Sequence, residues 1–105
     1  MTTKHISIAK DFSPFPAGRY VTDGPFPGEA FRDQVLLPAL REHGDVTVDL
    51  DGTNGYGSSF LEEAFGGLVR KGGYSPADLK IRLHIKSQRQ SYEVRIWNYI
   101  ADAVH

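Results

Sequence analysis

The sequence predicts one small α/β domain, and three observations predict it. Short runs alternate apolar and polar residues, the segments between them carry apolar residues at helical spacing, and 105 residues leave room for a single core. A domain of that size buries roughly two thirds of its unfolded surface without staples. The predicted order is β-β-α-β-α-β-α over residues 1–105, with an ordered core of 4–103. Each β-α-β step favours a right-handed crossover between parallel strands, so a small mixed or parallel sheet with its helices mainly on one face is expected.

Ile6 and Ile8 alternate with His5 and Ser7, the pattern of a short half-buried strand. A loop with Pro14, Pro16 and Gly18 follows. Arg19-Tyr20-Val21-Thr22 has the β-branched and aromatic character of a second short strand, and Asp23-Gly24 predicts a turn after it. From Glu29, the residues Phe31, Val35, Leu36, Ala39 and Leu40 recur at helical spacing, with Arg32, Asp33, Arg41 and Glu42 on the other side. Pro38 predicts a kink or split in this helix, because an interior proline removes a donor and crowds the carbonyl of Gln34.

Val46, Val48 and Leu50 share one face of the next strand, and Thr47, Asp49 and Asp51 the other. Gly52 to Gly57 supplies a turn. Phe60, Leu61, Ala64, Phe65, Leu68 and Val69 then form one apolar stripe, and Ser59 with Glu62 has the spacing of a capping box, which places the helix start at Ser59. Gly66-Gly67 inside this helix costs about 1 kcal/mol per glycine relative to alanine, so a close neighbour to its backbone is expected. Gly72-Gly73 ends it. Ile81, Leu83 and Ile85 alternate with Arg82, His84 and Lys86 as a last strand, and Tyr92, Ile96, Tyr99, Ile100 and Ala103 mark a last helix. Trp97 falls off that stripe, at a core edge or a dimer contact.

Composition removes several classes of function. Twelve Lys and Arg against 13 Asp and Glu give a net charge of -1, with no basic footprint for nucleic acid. The chain has no cysteine, hence no disulfide, thiolate metal site or cysteine nucleophile. His5, His43, His84 and His105 are scattered without metal-ligand spacing, and no Gly-x-Ser-x-Gly elbow exists. Neither a signal peptide nor a stretch of transmembrane length is present, so no membrane association and a cytoplasmic location are expected.

Two chemistries compete for the centre of the chain. Asp49-Leu50-Asp51-Gly52-Thr53 places two carboxylates at i and i+2 on one strand face beside a strand end. It resembles the first motif of the haloacid dehalogenase-type phosphohydrolases, which implies Asp49 as nucleophile, Asp51 as acid and base, and Mg²⁺. That family also needs a downstream lysine and a further acidic pair, whereas Asp78, Glu93 and Asp102 stand apart here. The other chemistry starts from Ser58-Ser59 before the helix. The words Gly18-Arg19-Tyr20, Gly28-Glu29 with Phe31-Arg32, Asp49-Leu50-Asp51-Gly52 and Ser59-Phe60-Leu61-Glu62-Glu63-Ala64-Phe65 resemble the STAS-like domain of unknown function, related to the STAS-domain anti-sigma factor antagonists of bacteria.

That resemblance implies a STAS-like fold and a non-enzymatic protein-interaction module without cofactor, metal or catalytic residue. Its partner would be a histidine-kinase-like ATPase or anti-sigma-type kinase, which phosphorylates a serine before the helix. Aligning the paired serines puts this role on Ser59, with Ser58 beside it; Gly57 stands where Asp is usual and Phe60 where Gly is usual. Partner-facing candidates are Arg19, Glu29, Arg32, Asp51, Tyr56 and Glu62. Two alternatives stay open: a constitutive structural or oligomerisation domain whose serines are helix caps, and the small phosphohydrolase. Arg19, Glu29 and Arg32 converge near the serine helix either as an anion or partner site or as salt bridges. Phe15 and Phe26 are either interface anchors or the packing of a long loop.

Overall fold

A computed structural model describes residues 2–104, and the two ends of the predicted domain, Met1 and His105, lie outside them. Three strands, β1 (Thr3–Ser7), β2 (Asp45–Asp49) and β3 (Leu83–Lys86), form one parallel sheet with β2 in the middle. The register sets Ile6 beside Val48 beside Ile85, and His5 beside Thr47 beside His84. Since neighbouring residues point to opposite faces, Ile6, Val46, Val48 and Leu83 enter the core while His5, Thr47 and His84 line a wet face. The helices cover the apolar face: α1 (Ile8–Asp11), α2 (28–42), α3 (58–70), α4 (Pro76–Arg82) and α5 (Gln90–Asp102).

The α/β class and the single-faced helical cover are as the sequence predicts, whereas three element assignments need correction. Arg19 to Thr22 is not a second strand but leads into a 3-10 turn at Val21–Asp23. The Asp23 carboxylate accepts from the backbone N–H groups of Arg19 and Tyr20, and Glu29 accepts from that of Val21, so local side chains take the donors a ladder would need. Ile8 opens α1 instead of ending β1, because Ser7 Oγ accepts from the Lys10 N–H and the Asp11 carboxylate accepts from the Ser7 N–H. Ile81 belongs to α4 and is exposed, not to β3. The missed signal is Ser75-Pro76 with Asp78: Ser75 caps the Asp78 N–H and proline occupies the first helical turn.

The kink predicted at Pro38 takes the form of a π segment, Arg32–Leu36, just before it. The Leu37 N–H bonds to the Arg32 carbonyl five residues back, and the widened turn buries Phe31, Leu36, Leu37 and Leu40 on one face. A second π segment, Glu62–Gly66, lies in α3. Arg82 closes α2 from outside, with its Nε donating to the Gly44 carbonyl at 3.1 Å and Nη2 to the carbonyls of His43 and Leu40. Between the layers sit Phe31, Phe60 and Phe65, joined edge-on by Phe12, against which Phe26 packs at 5.6 Å. Phe15 stays exposed.

The two long helices approach closely at Gly28. A Cβ there would strike the Phe60 carbonyl oxygen and come within 3.1 Å of the Ala64 nitrogen, both backbone atoms that cannot turn aside. Gly28→Ala is therefore expected to destabilise the fold by about 1–3 kcal/mol, despite the better helix propensity of alanine. A lower urea midpoint at unchanged slope is the readout; an unchanged midpoint would refute the close approach.

Candidate functional site

The N-terminal end of α3 follows β2 through a turn and carries both serines. Here the structure corrects the expected cap. Gly57, extended at φ -79° and ψ 159°, is the N-cap, and Ser58 and Ser59 are already helical. The Glu62 N–H bonds to the carbonyls of both serines, so Glu62 sits one turn beyond them, and its carboxylate is drawn to arginines instead of reaching back to form a capping box. Both serines are exposed, and among the described residues neither hydroxyl takes part in a hydrogen bond.

Below them, α3 presents Glu62, Gly66 and Arg70 along one face, with Glu63 turned inward beside them. Arg19 Nη1 lies 2.6 Å from Glu62 Oε1 and 3.2 Å from Glu63 Oε1. Arg70 holds Glu62 through both of its terminal nitrogens, at 2.5 and 2.9 Å. Arg32 is 1% exposed and donates to the Glu63 carboxylate at 2.6 Å, to the Glu63 carbonyl at 3.1 Å and to Asp33 at 2.8 Å. Gly67 is the complement of this arrangement, for a Cβ there would overlap the Arg32 guanidinium. The close neighbour implied by Gly66-Gly67 is thus Arg32 at Gly67, with Glu62 and Arg70 at Gly66.

These contacts sort the candidate residues. Arg19 and Glu62 stay partly exposed at the serine end of α3. Arg32 is buried and cannot meet a partner directly, and Glu29 accepts from the Val21 N–H within its own loop. Glu63 and Arg70 complete the network and were not among the candidates, although the two glycines beside them signalled it. Burial works to raise the Glu62 pKa, but the hydrogen bonds and charges of Arg70 and Arg19 together outweigh it and hold the carboxyl below its ordinary value. The hydrogen bond to Glu62 in turn raises the pKa values of Arg19 and Arg70.

A second polar region lies at the C-terminal ends of β2 and β3, where open parallel sheets usually place their sites. A cleft of ≈260 Å³ there is lined by the loop from Leu50 to Gly55 and by Ser87, Gln88, Arg89 and Tyr92. Its acids are engaged in holding backbone. Asp49 Oδ1 accepts from the Asp51 N–H at 2.9 Å, and Asp51 Oδ1 accepts from the Gln88 N–H at 2.9 Å. Lys86 Nζ lies 3.7 Å from Asp49, so a downstream lysine does meet the first aspartate. Asp78 instead pairs with Arg82 on α4, while Glu93 and Asp102 ride on α5, and among the described residues no further acidic pair joins Asp49 and Asp51. Tyr56 is buried, donates to the Leu50 carbonyl at 2.6 Å and packs edge-on against Tyr92, which makes it a support of the loop and not a partner contact. That burial pushes its phenol up to about 12. Among the described histidines, His84 pairs with Asp45 at 3.1 Å on the wet sheet face, and His43 bonds Thr2 at 2.6 Å; His105 lies outside the described residues.

This small α/β domain with a three-stranded parallel sheet is of the STAS-like class, as the family match shows. The chain belongs to the family described as the STAS-like domain of unknown function, DUF4325, which matches residues 27–93. The match takes in α2, β2, α3, α4 and β3, and so Arg32, Glu62, Glu63, Arg70 and the loop after β2, while Arg19 lies before it. No curated protein and no solved structure matches the chain. No helix among the described residues is long and apolar enough to cross a membrane.

Glu63→Gln breaks a buried pair and is expected to cost about 3–5 kcal/mol. Glu62→Gln disrupts partly exposed pairs and should cost about 1 kcal/mol or less at neutral pH. Because the folded pKa of Glu62 is depressed, its contribution is complete above the ordinary value of 4.5 and disappears as pH falls through the lower folded value. Denaturation curves of parent and Glu62→Gln should therefore converge in acid; a gap that persists there would refute the assignment. Tyr56→Phe tests the other region. It loses a hydrogen bond of about 1 kcal/mol at neutral pH, and the parent's advantage should fade as pH rises from 10 towards about 12.

Proposed function

We propose that this chain is a non-enzymatic regulatory interaction module of bacterial, cytoplasmic type, whose docking surface is the N-terminal end of α3. A partner kinase switches that surface by phosphorylating Ser59, with Ser58 as the neighbouring acceptor. The observation that carries this reading is the state of the two hydroxyls: both are exposed and neither is used to cap the helix. The alternative in which the serines serve only as caps loses its basis, since Gly57 holds that position.

The surroundings suit a charge switch. A phosphate at the start of α3 is favoured by the helix dipole and by free backbone N–H groups, so it leaves the helix intact. Ser59 stands three and four residues before Glu62 and Glu63, close enough on a helix for the added charge to compete with them for Arg19. The partner then meets a surface that has gained roughly two negative charges and lost the previous arginine–glutamate pairing. The resemblance to anti-sigma factor antagonists supplies the expected partner, a histidine-kinase-like ATPase or anti-sigma-type kinase. Asp49 and Asp51, committed to the backbone after β2, serve in this reading to hold the turn that delivers the serines.

Ser59→Ala should change stability by no more than a few tenths of a kcal/mol, because it replaces an exposed helical residue with a stronger helix former. Capture of the parent from its native cell, with peptide mass measurement, should find phosphate on Ser59 and an ATPase-type partner. Ser59→Ala should keep that partner and Ser59→Asp should lose it. Absence of phosphate under several growth conditions, or equal binding by Ser59→Asp and the parent, would rule the switch out.

A further inference from the structure

Away from the serines, α4 and α5 enclose an apolar groove that none of the described residues fills. Two adjoining hollows of ≈410 and ≈460 Å³ share Lys80 and Trp97. Ile81, 73% exposed, stands on the α4 side and Val94, 59% exposed, on the α5 side. Large apolar side chains left this open beside a tryptophan mark an interaction surface more often than a bare exterior. The charges at the groove indicate what covers it. Lys80, from α4, lies over the Trp97 ring at 5.7 Å, and Glu93, one turn before Trp97 on α5, lines the same hollow. Among the described residues neither is in an ion pair.

We propose that the groove between α4 and α5 is a two-fold self-association surface whose occupant is a second copy of this chain. A two-fold axis along the groove lays α4 of one copy on α5 of the other. Lys80 of each copy then faces Glu93 of its mate, and Ile81 of each enters the partner's groove near Val94 and Trp97. One unpaired cation and one unpaired carboxylate on opposite walls are self-complementary under that operation, which a surface of single sign is not. No residue of the groove belongs to the Leu50–Gly55 loop, the serines or the arginine network, so the pair would present two free α3 ends. With α4 roughly 10 Å and α5 roughly 20 Å long, the patch is at the small end of specific interfaces, and association in the micromolar range is expected.

Sedimentation equilibrium on the purified chain, from about 1 μM to about 1 mM, tests the proposal alongside the emission of Trp97, the only tryptophan. The chain should move from monomer to dimer, with a blue shift of the emission. Lys80→Glu and Glu93→Lys should each weaken self-association about tenfold or more. An equimolar mixture of the two single variants should restore it, because each then faces opposite charge at both contacts. Ile81→Glu, or Val94→Lys as a second exposed position, should leave a folded monomer by circular dichroism. A monomer at all concentrations would overturn the proposal, as would a dimer indifferent to Ile81 and Val94, or a mixture no tighter than its components. None of these results depends on phosphorylation, so they leave the reading of Ser59 untouched.

Discussion

The contact between Arg32 and Glu63 is the constraint on which the rest of the helical layer depends. A guanidinium that is 1% exposed is held by a carboxylate that is nearly as buried, and each opens or sits within a π segment of its own helix. Removing two charges from water is costly, and the arrangement is sustained only because further hydrogen bonds satisfy the groups. Arg32 bonds the Glu63 backbone carbonyl as well as its carboxylate, and Asp33 takes its remaining edge. A side chain that enters the helical ladder in this way is a known cause of a local change in helix geometry. The pair thereby fixes the register of α2 against α3 and requires a glycine at position 67.

From that anchor the exposed part of the network follows. With Glu63 turned inward, Glu62 faces outward and is bracketed by Arg19 from the loop before α2 and Arg70 from the end of α3. The inner pair supplies geometry, and the outer group supplies charge that solvent can still reach. On the other side of the serines, Asp49 and Asp51 tie the turn to β2 and to the start of the segment before α5. Ser58 and Ser59 thus emerge between a fixed loop and a fixed helix face, with their backbone determined and their hydroxyls unused.

The sheet and the longer helices were legible in the sequence because burial there follows simple periodicity. Val46 and Val48 read as one strand face, and Ile96 and Ile100 as one helix face, because nothing local competes with the pattern. The misread strands all occur where a side chain bonds nearby backbone. Asp23 and Glu29 turn a β-like tetrapeptide into a turn, and Ser75 with Pro76 extends a helix through Ile81, whose alternation with Leu83 and Ile85 suggested a strand. At the site, the spacing of Ser59 and Glu62 was read correctly as proximity and incorrectly as a cap, since a glutamate between two arginines does not reach back to the backbone. Arg19 and Glu62 were legible as neighbours of the serine helix. Glu63 and Arg70 were not, because a long-range ion pair leaves no mark in sequence spacing, and only Gly66-Gly67 recorded its presence.

The parallel sheet also makes every strand contact a distant one in the chain. His5 pairs with Thr47 and Thr47 with His84, so each strand contact closes a loop of roughly forty residues, and the described strands form no hairpin. The central strand has nothing to pair with until an entire helix-bearing segment on one side has collapsed. Docking of α2 on α3, which brings Arg32 to Glu63 across 31 residues, closes a loop of similar length, so neither the sheet nor the helical layer has a local contact from which to start. On the ribosome, β1 emerges before β2 and stays unpaired until about forty further residues have followed it.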